Sequence, residues 1–328
     1  MEIFGPVLSK MVYLFAFIVI GYLLSKLKVI PDNSAGVLSK LENYVFVPAL
    51  VLSTFIQNCN VETLSSSWNV LLVSAITLAV IIPLSLALAK LCFKERFLQK
   101  IGAYGLAFSN FAFMGNAIMN ELFPSIFFPY LIFTLPFWFM IYMYGAPVLL
   151  ISDDSGNKKT WSERMRSFLN PMFIAMLIGI LIGLIGLARY IPDPINEVIT
   201  VSGSCMSPVA MLLTGMTIAK VDLLALLKRW RLYVLTAIKL VGYPLLIIGV
   251  CVLIKEVGGY ESAVFNSNIA YCLVCVSCMP FGLNGIVIPA AYGKDTTDAS
   301  GMALISHVLS VGTIPLAFML FEFLIALV

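Results

Sequence analysis

Lys239 stands near the middle of an apolar run, VLTAIKLVGYPLL, where a lysine costs about 2.5–3.5 kcal/mol on the membrane-insertion scale. A cation kept there can pair with an anionic substrate, or offset the carbonyl ends of broken helices as a bound metal ion would. At that depth it can also titrate with a working cycle. The bland alternative is a lysine that snorkels or touches water without a mechanistic part. His307, the only histidine, sits a turn or two inside the end of its own run, where it can carry a proton at physiological pH or hydrogen-bond at the interface. Lys239 and His307 are therefore the candidate coupling residues. Lys10, in the outer third of the first run, reads as a snorkelling side chain.

Two other runs carry residues that make poor helix interiors. Asn110, Gly115 and Asn116 lie at the middle of GAYGLAFSNFAFMGNAIMNELF, and Pro280, Gly282, Asn284 and Gly285 at the middle of VCVSCMPFGLNGIVIP. Proline removes a backbone donor and crowds the preceding turn, glycine weakens a helix by about 1 kcal/mol, and asparagine competes for backbone groups. Unwound backbone at membrane depth is tolerated only where it lines a cavity or is buried in protein, and paired interruptions mark a transporter's substrate site. A packed Pro or Gly kink is the structural alternative. Broken helices leave N–H and C=O ends facing one another, and the N–H ends suit an anionic group. Asn110, Gly115, Asn116, Pro280 and Asn284, with Lys239 for charge, form the candidate substrate site.

All 17 acidic residues fall in gaps between runs or near their ends, Glu42, Glu121 and Glu322 included. A cation exchanger would want a buried carboxylate; a midplane lysine among asparagines suits an organic anion. Enzyme chemistry has no foothold: there is no H-E-x-x-H, no intramembrane Asp pair and no placeable Ser–His pair. Cys272, Cys275 and Cys278 recur every third residue but have no His or acidic neighbour, so they read as helix packing and not as metal ligands. Neither a metal nor another cofactor is expected. No disulfide framework is expected from the seven cysteines, since only Cys59 falls in an outer loop.

The elements that must hold these residues are membrane spans. The chain is 61% hydrophobic and 11% charged over 328 residues, with no soluble domain to bind nucleic acid. Ten apolar stretches near the span length of about 20 residues centre on Ile18, Pro48, Val80, Asn110, Phe137, Gly179, Ala210, Lys239, Val276 and Ile314. Of the 20 Lys and Arg residues, all but Lys10, Arg189, Lys239 and Lys255 fall in the odd-numbered gaps. The positive-inside rule makes those gaps cytoplasmic and puts both termini outside. The N-terminal run lacks a basic leader and a cleavage site, so it is read as a retained first span.

The chain also repeats itself. TLPFWFMIY from Thr134 aligns with TIPLAFMLF from Thr313, and Pro48 with Thr54 corresponds to Pro208 with Thr214. Pro83-Leu84 matches Pro244-Leu245, and Pro6 with Met11 matches Pro171 with Met176. The expected organisation is a five-helix repeat over 1–150, a cytoplasmic linker over 151–168 and a second repeat over 169–328. An odd number of spans per repeat inverts one copy against the other, the construction of many secondary transporters and a basis for alternating access.

These motifs resemble the auxin efflux carrier family, which includes plant PIN-type exporters and many bacterial carriers. SNFAFMGNAIMNELFP from Ser109 is similar to that family's Asn-x-x-Phe-x-Gly-x-Pro stretch, and LSKLENYVFVPALVLSTF from Leu38 to its second span. MSPVAMLLTGMTIA from Met206 resembles the seventh, and MPFGLNGIVIPAAYGKDTTDASGMALISHVLSVGTIPL from Met279 the ninth and tenth. Asn116-Ala117 departs from the pattern, standing where many members have a residue followed by Pro; a gentler or differently placed first break is expected. The resemblance implies an all-α polytopic fold like that of sodium/proton antiporters and bile-acid symporters. Spans one, two, six and seven would form a scaffold, and the others a moving transport domain with crossed helices four and nine.

The resemblance also implies organic-anion transport, with dicarboxylates such as malate or malonate the common bacterial assignment. Auxin fits the short central loop less well. The expected protein is a multi-pass secondary active transporter of a small organic anion in the cell membrane, with a proton or sodium as the candidate coupling ion. Its other expected partners are membrane lipid and a second copy in a homodimer through the scaffold helices. The alternative is a ligand-sensing membrane protein without net transport.

Overall fold

Local chemistry sets the helix ends. Proline at the first helical position, where its missing N–H would go unpaired in any case, begins Pro124–Leu150. The Asn266 side chain begins Ser267–Cys278 by accepting the Ile269 N–H at 3.0 Å. Gly186, at φ 73°, takes the left-handed turn that follows Pro171–Ile185.

The computed structural model describes residues 4–65, 67–150, 171–219, 229–258, 260, 262, 264–291 and 297–327. The linker 151–168 and its basic residues lie outside them, as do Lys220, Lys228, Lys294 and the Lys10 side chain. In chain order the helices are α1 (Phe4–Lys26), α2 (Ser34–Asn58), α3 (Trp68–Cys92), α4 (Arg96–Ala107), α5 (Asn116–Leu122) and α6 (Pro124–Leu150). They continue as α7 (Pro171–Ile185), α8 (Asp193–Ile218), α9 (Trp230–Gly258), α10 (Ser267–Cys278), α11 (Asn284–Ala291) and α12 (Thr297–Leu327).

Among the described residues seven helices are long and apolar enough to cross a membrane: α1, α2, the one containing α3, α6, α8, α9 and α12. The other apolar stretches are shorter, and those around Asn110 and Pro280 are each split into two helices. Val12, Ile76, Val80, Leu181 and Leu253 are exposed while Glu42, Asn110, Asn116, Lys239 and His307 are buried, a distribution that needs lipid as solvent. The chain is an all-α, multi-pass membrane protein.

Two close crossings organise one side of the bundle. A Cβ on Gly215 of α8 would lie 1.9 Å from Ile18 O of α1, and one on Gly183 of α7 would lie 2.4 Å from Cys59 O at the end of α2. Small residues let these backbones touch, the usual adhesive between membrane helices. Around the remaining side, α3 packs on α4 and α6, and α9 packs on α10 and α12.

Glu42 departs from the expectation that every carboxylate lies in a gap or near a span end. It is fully buried inside α2, at the start of a π-helical turn, Glu42–Phe46, closed by the Val47 N–H on Glu42 O. Val47, Leu50, Val51, Thr54 and Phe55 form the buried face of α2. Regular helical spacing carries that face back to Asn43 or Tyr44; the extra residue of the π-turn puts Glu42 there instead.

Candidate functional site

α4 ends at Ala107 and α10 at Cys278, and the irregular chains beyond them cross. The Asn110 N–H donates to Pro280 O at 2.7 Å, Ser109 and Phe281 form an antiparallel bridge, and the Ser109 hydroxyl donates to Val276 O at 2.9 Å. A Cβ on Gly282 would lie 2.9 Å from Phe108 O, so the crossing needs glycine there. Pro280 explains the second break, because it forces Met279 to an extended ψ of 144°. No proline makes the first. Phe108 leaves the helix at ψ 88°, and the Asn110 N–H finds its acceptor on the other chain.

This places the first break at Phe108–Asn110, before the Asn116-Ala117 departure. From Phe111 the backbone is helical again, as a π-turn over Phe111–Gly115 leading into α5. Gly115 makes room for Tyr130, whose hydroxyl lies 2.1 Å from where a Cβ would stand and donates to Phe111 O at 3.0 Å. Asn116 is buried, and its side-chain oxygen has no hydrogen-bond partner. Asn284 opens α11 half-buried, with its side chain near the Tyr104 hydroxyl of α4.

His307 lies deeper than its sequence position suggests. It is ten residues into α12, about 15 Å at 1.5 Å per residue, and is fully buried against the crossing. Its Nδ1 is 2.7 Å from Ala303 O, which can only accept, so Nδ1 carries the proton and Nε2 accepts the Asn110 Nδ2–H at 3.0 Å. A neutral imidazole satisfies both contacts; an imidazolium would require the Asn110 amide to turn over. Ser306, next along α12, accepts the Phe281 N–H at 3.1 Å.

Lys239 lies in a further π-turn, Ile238–Gly242, within α9 and is 2% exposed. Its ammonium donates to Leu106 O at 3.4 Å, one of the last carbonyls of α4 and without a helical partner, and stands 5.3 Å above the Tyr243 ring. The lysine therefore faces the negative end of the interrupted helix.

The structure thus joins Asn110 directly to Pro280 and His307 and puts Lys239 on the carbonyl end of the same break. Gly115 and Asn116 follow a turn later, and Asn284 stands near Tyr104 of α4. No hydrogen bond among the described residues joins Lys239 to the three asparagines. Ser109, Ser306, Tyr104 and Tyr130 belong to the site yet escaped the sequence reading. The two serines could have been found as neighbours of Asn110 and His307; the tyrosines look like any membrane aromatic.

Beside the first break a cavity of about 260 Å³ opens between Asn43, Tyr44, Phe113, Trp138, Tyr142 and Met172. Among the described residues no group of three His, Cys, Asp or Glu is arranged to hold a metal ion. No curated protein matches the chain. The model described as Membrane transport protein matches residues 6–152 and 155–318, nearly the full length, so the chain belongs to that family, the auxin efflux carriers, and is a membrane transporter and not an enzyme.

Proposed function

We propose that the protein is a secondary active carrier that moves a small organic anion, a carboxylate or dicarboxylate, across the cell membrane by alternating access. The observation that carries this reading is the Lys239 ammonium, buried at the carbonyl end of an interrupted helix; the only buried carboxylate among the described residues is Glu42, on α2. A cation at membrane depth with no carboxylate hydrogen-bonded to it among the described residues is a functional feature by default, and an anion is its natural partner. Asn110, Gly115, Asn116, Pro280 and Asn284 supply the polar backbone and amides around it. Asn116, with its side-chain oxygen unspent, offers hydrogen-bonding capacity that a ligand can use.

The carrier is built from two inverted five-helix repeats, 1–150 and 169–328, with both termini outside. Support comes from the packing. Exchanging the repeats turns the α1–α8 crossing into the α7–α2 crossing, the α3–α4 pair into α9–α10, and the α3–α6 pair into α9–α12, and all of these contacts occur. The scaffold is α1, α2, α7 and α8, through which two copies pair, and the remainder moves as the transport domain in an elevator or rocking step.

The test is uptake of labelled mono- and dicarboxylates into proteoliposomes, with and without a sodium or proton gradient, for the wild type and for Asn110→Ala, Asn284→Ala and Lys239→Ala. Loss of flux in the variants supports the site; unchanged transport in all three removes it.

A further inference from the structure

Glu42 is the buried ionisable group that the anion site does not use. Its side chain is 0% exposed and neither carboxyl oxygen has a hydrogen-bond partner. The described elements packed against its π-turn are the rest of α2, α7 and α8. On α2 the nearest charge is Lys40, which is exposed; α7 carries no titratable residue; on α8 Asp193 and Glu197 are exposed and Cys205 is a half-buried thiol. Nothing on these faces compensates a carboxylate, and an unpaired charge sealed in protein gives up its ionisation instead. The π-turn that brings the carboxyl inward is itself a recurrent device at functional sites.

We propose that Glu42 is a proton-binding site of the transport cycle. In this packing the side chain is a neutral carboxylic acid; when the transport domain moves past α2 and the space beside Asn43 and Tyr44 widens, it meets water and releases its proton. Asn43 and Tyr44, the next two residues of the same turn, wall the cavity whose far side is Phe113 of the first break. The carboxyl thus lies one residue from the space that adjoins the anion site. A proton taken from water by the carboxylate on one side and returned to water on the other accompanies the anion and cancels one of its charges; no electrons move. The coupling rests on the carrier reading, whereas the protonation of Glu42 stands apart from it.

Two measurements separate them. Infrared spectra of the purified protein in lipid at neutral pH should contain the C=O band of a protonated carboxyl, and Glu42→Gln should remove it. Glu42→Met serves as a second variant should the first fail to fold. A wild type without the band, or a band that survives both substitutions, overturns the site even if anion flux is normal. In proteoliposomes, an inward proton gradient of one pH unit should drive about tenfold accumulation of a monocarboxylate for one coupled proton. That accumulation should collapse to equilibration in Glu42→Gln. A gradient response retained in the variant overturns the coupling. Vesicles with no anion flux under any condition overturn the carrier reading, while the infrared band still decides Glu42.

Discussion

Lys239 can be probed by a neutral side chain of similar length. Lys239→Met removes a group whose insertion costs about 2.5–3.5 kcal/mol, so the ligand-free protein should unfold at the same temperature or higher. The same variant should lose its thermal response to carboxylates, which for a bound ligand at a hundred times its Kd amounts to about 2.7 kcal/mol. A lysine that served only to offset the Leu106 carbonyl would give the opposite pair of results: lower stability, with the ligand response intact. His307 has a different signature, because it holds two partners at once. His307→Ala leaves the Asn110 Nδ2–H and the Ala303 carbonyl without it, and burying an unpaired group costs about 1–3 kcal/mol. Thermal unfolding should register that loss, and anion affinity should fall with it as the Asn110 amide loses its fixed orientation. Types and depth were legible here: Lys239 and the asparagines announce themselves in apolar surroundings. Pairing was not legible, because a bond between residues 110 and 307 depends on how separate helices cross. Glu42 was misread for a related reason. Its distance from the end of the run suggested an interface, and only the inserted π residue turns it inward.

At the level of elements, the interruptions are legible because each weakens a helix chemically, yet their placement is not wholly local. Pro280 dictates its own break, while the first break falls at Phe108–Asn110 because the Asn110 N–H is better satisfied by Pro280 O than within its own helix. Glycine again separates two kinds of consequence. Gly215→Ala puts a methyl 1.9 Å from Ile18 O and 2.7 Å from Tyr22 N, both backbone atoms that cannot rotate away. α1 and α8 must then part along their contact, and the variant should show a lower unfolding temperature and poor monodispersity on size exclusion. Gly249→Ala is the control, since nothing lies within 4 Å of its new methyl. As alanine also favours a helix interior by about 1 kcal/mol over glycine, that variant should be as stable as the wild type or more so. Equal behaviour of the two would mean that the α1–α8 crossing is looser than its geometry implies.

For the whole molecule, the proposed alternating access can be set against the arrangement of contacts. The α1–α8 and α2–α7 crossings are backbone against backbone and cannot shear without separating. By contrast, between α2 and the first break lies the cavity of about 260 Å³, walled on one side by Asn43 and Tyr44 and on the other by Phe113 and Trp138. On the proposed division, the transport domain would move against the scaffold across that gap. Cysteines introduced as Tyr44→Cys and Phe113→Cys in a cysteine-free background, bridged by a short bis-maleimide, should therefore stop anion flux while leaving equilibrium binding measurable. Cysteines at Tyr22 and Leu212, both on the α1–α8 pair, should cross-link without loss of flux, because the two helices travel together. Bridging that blocks transport equally at both places would mean that α1 and α8 also move apart in the cycle. Bridging that blocks neither would leave no motion across the cavity for alternating access to use.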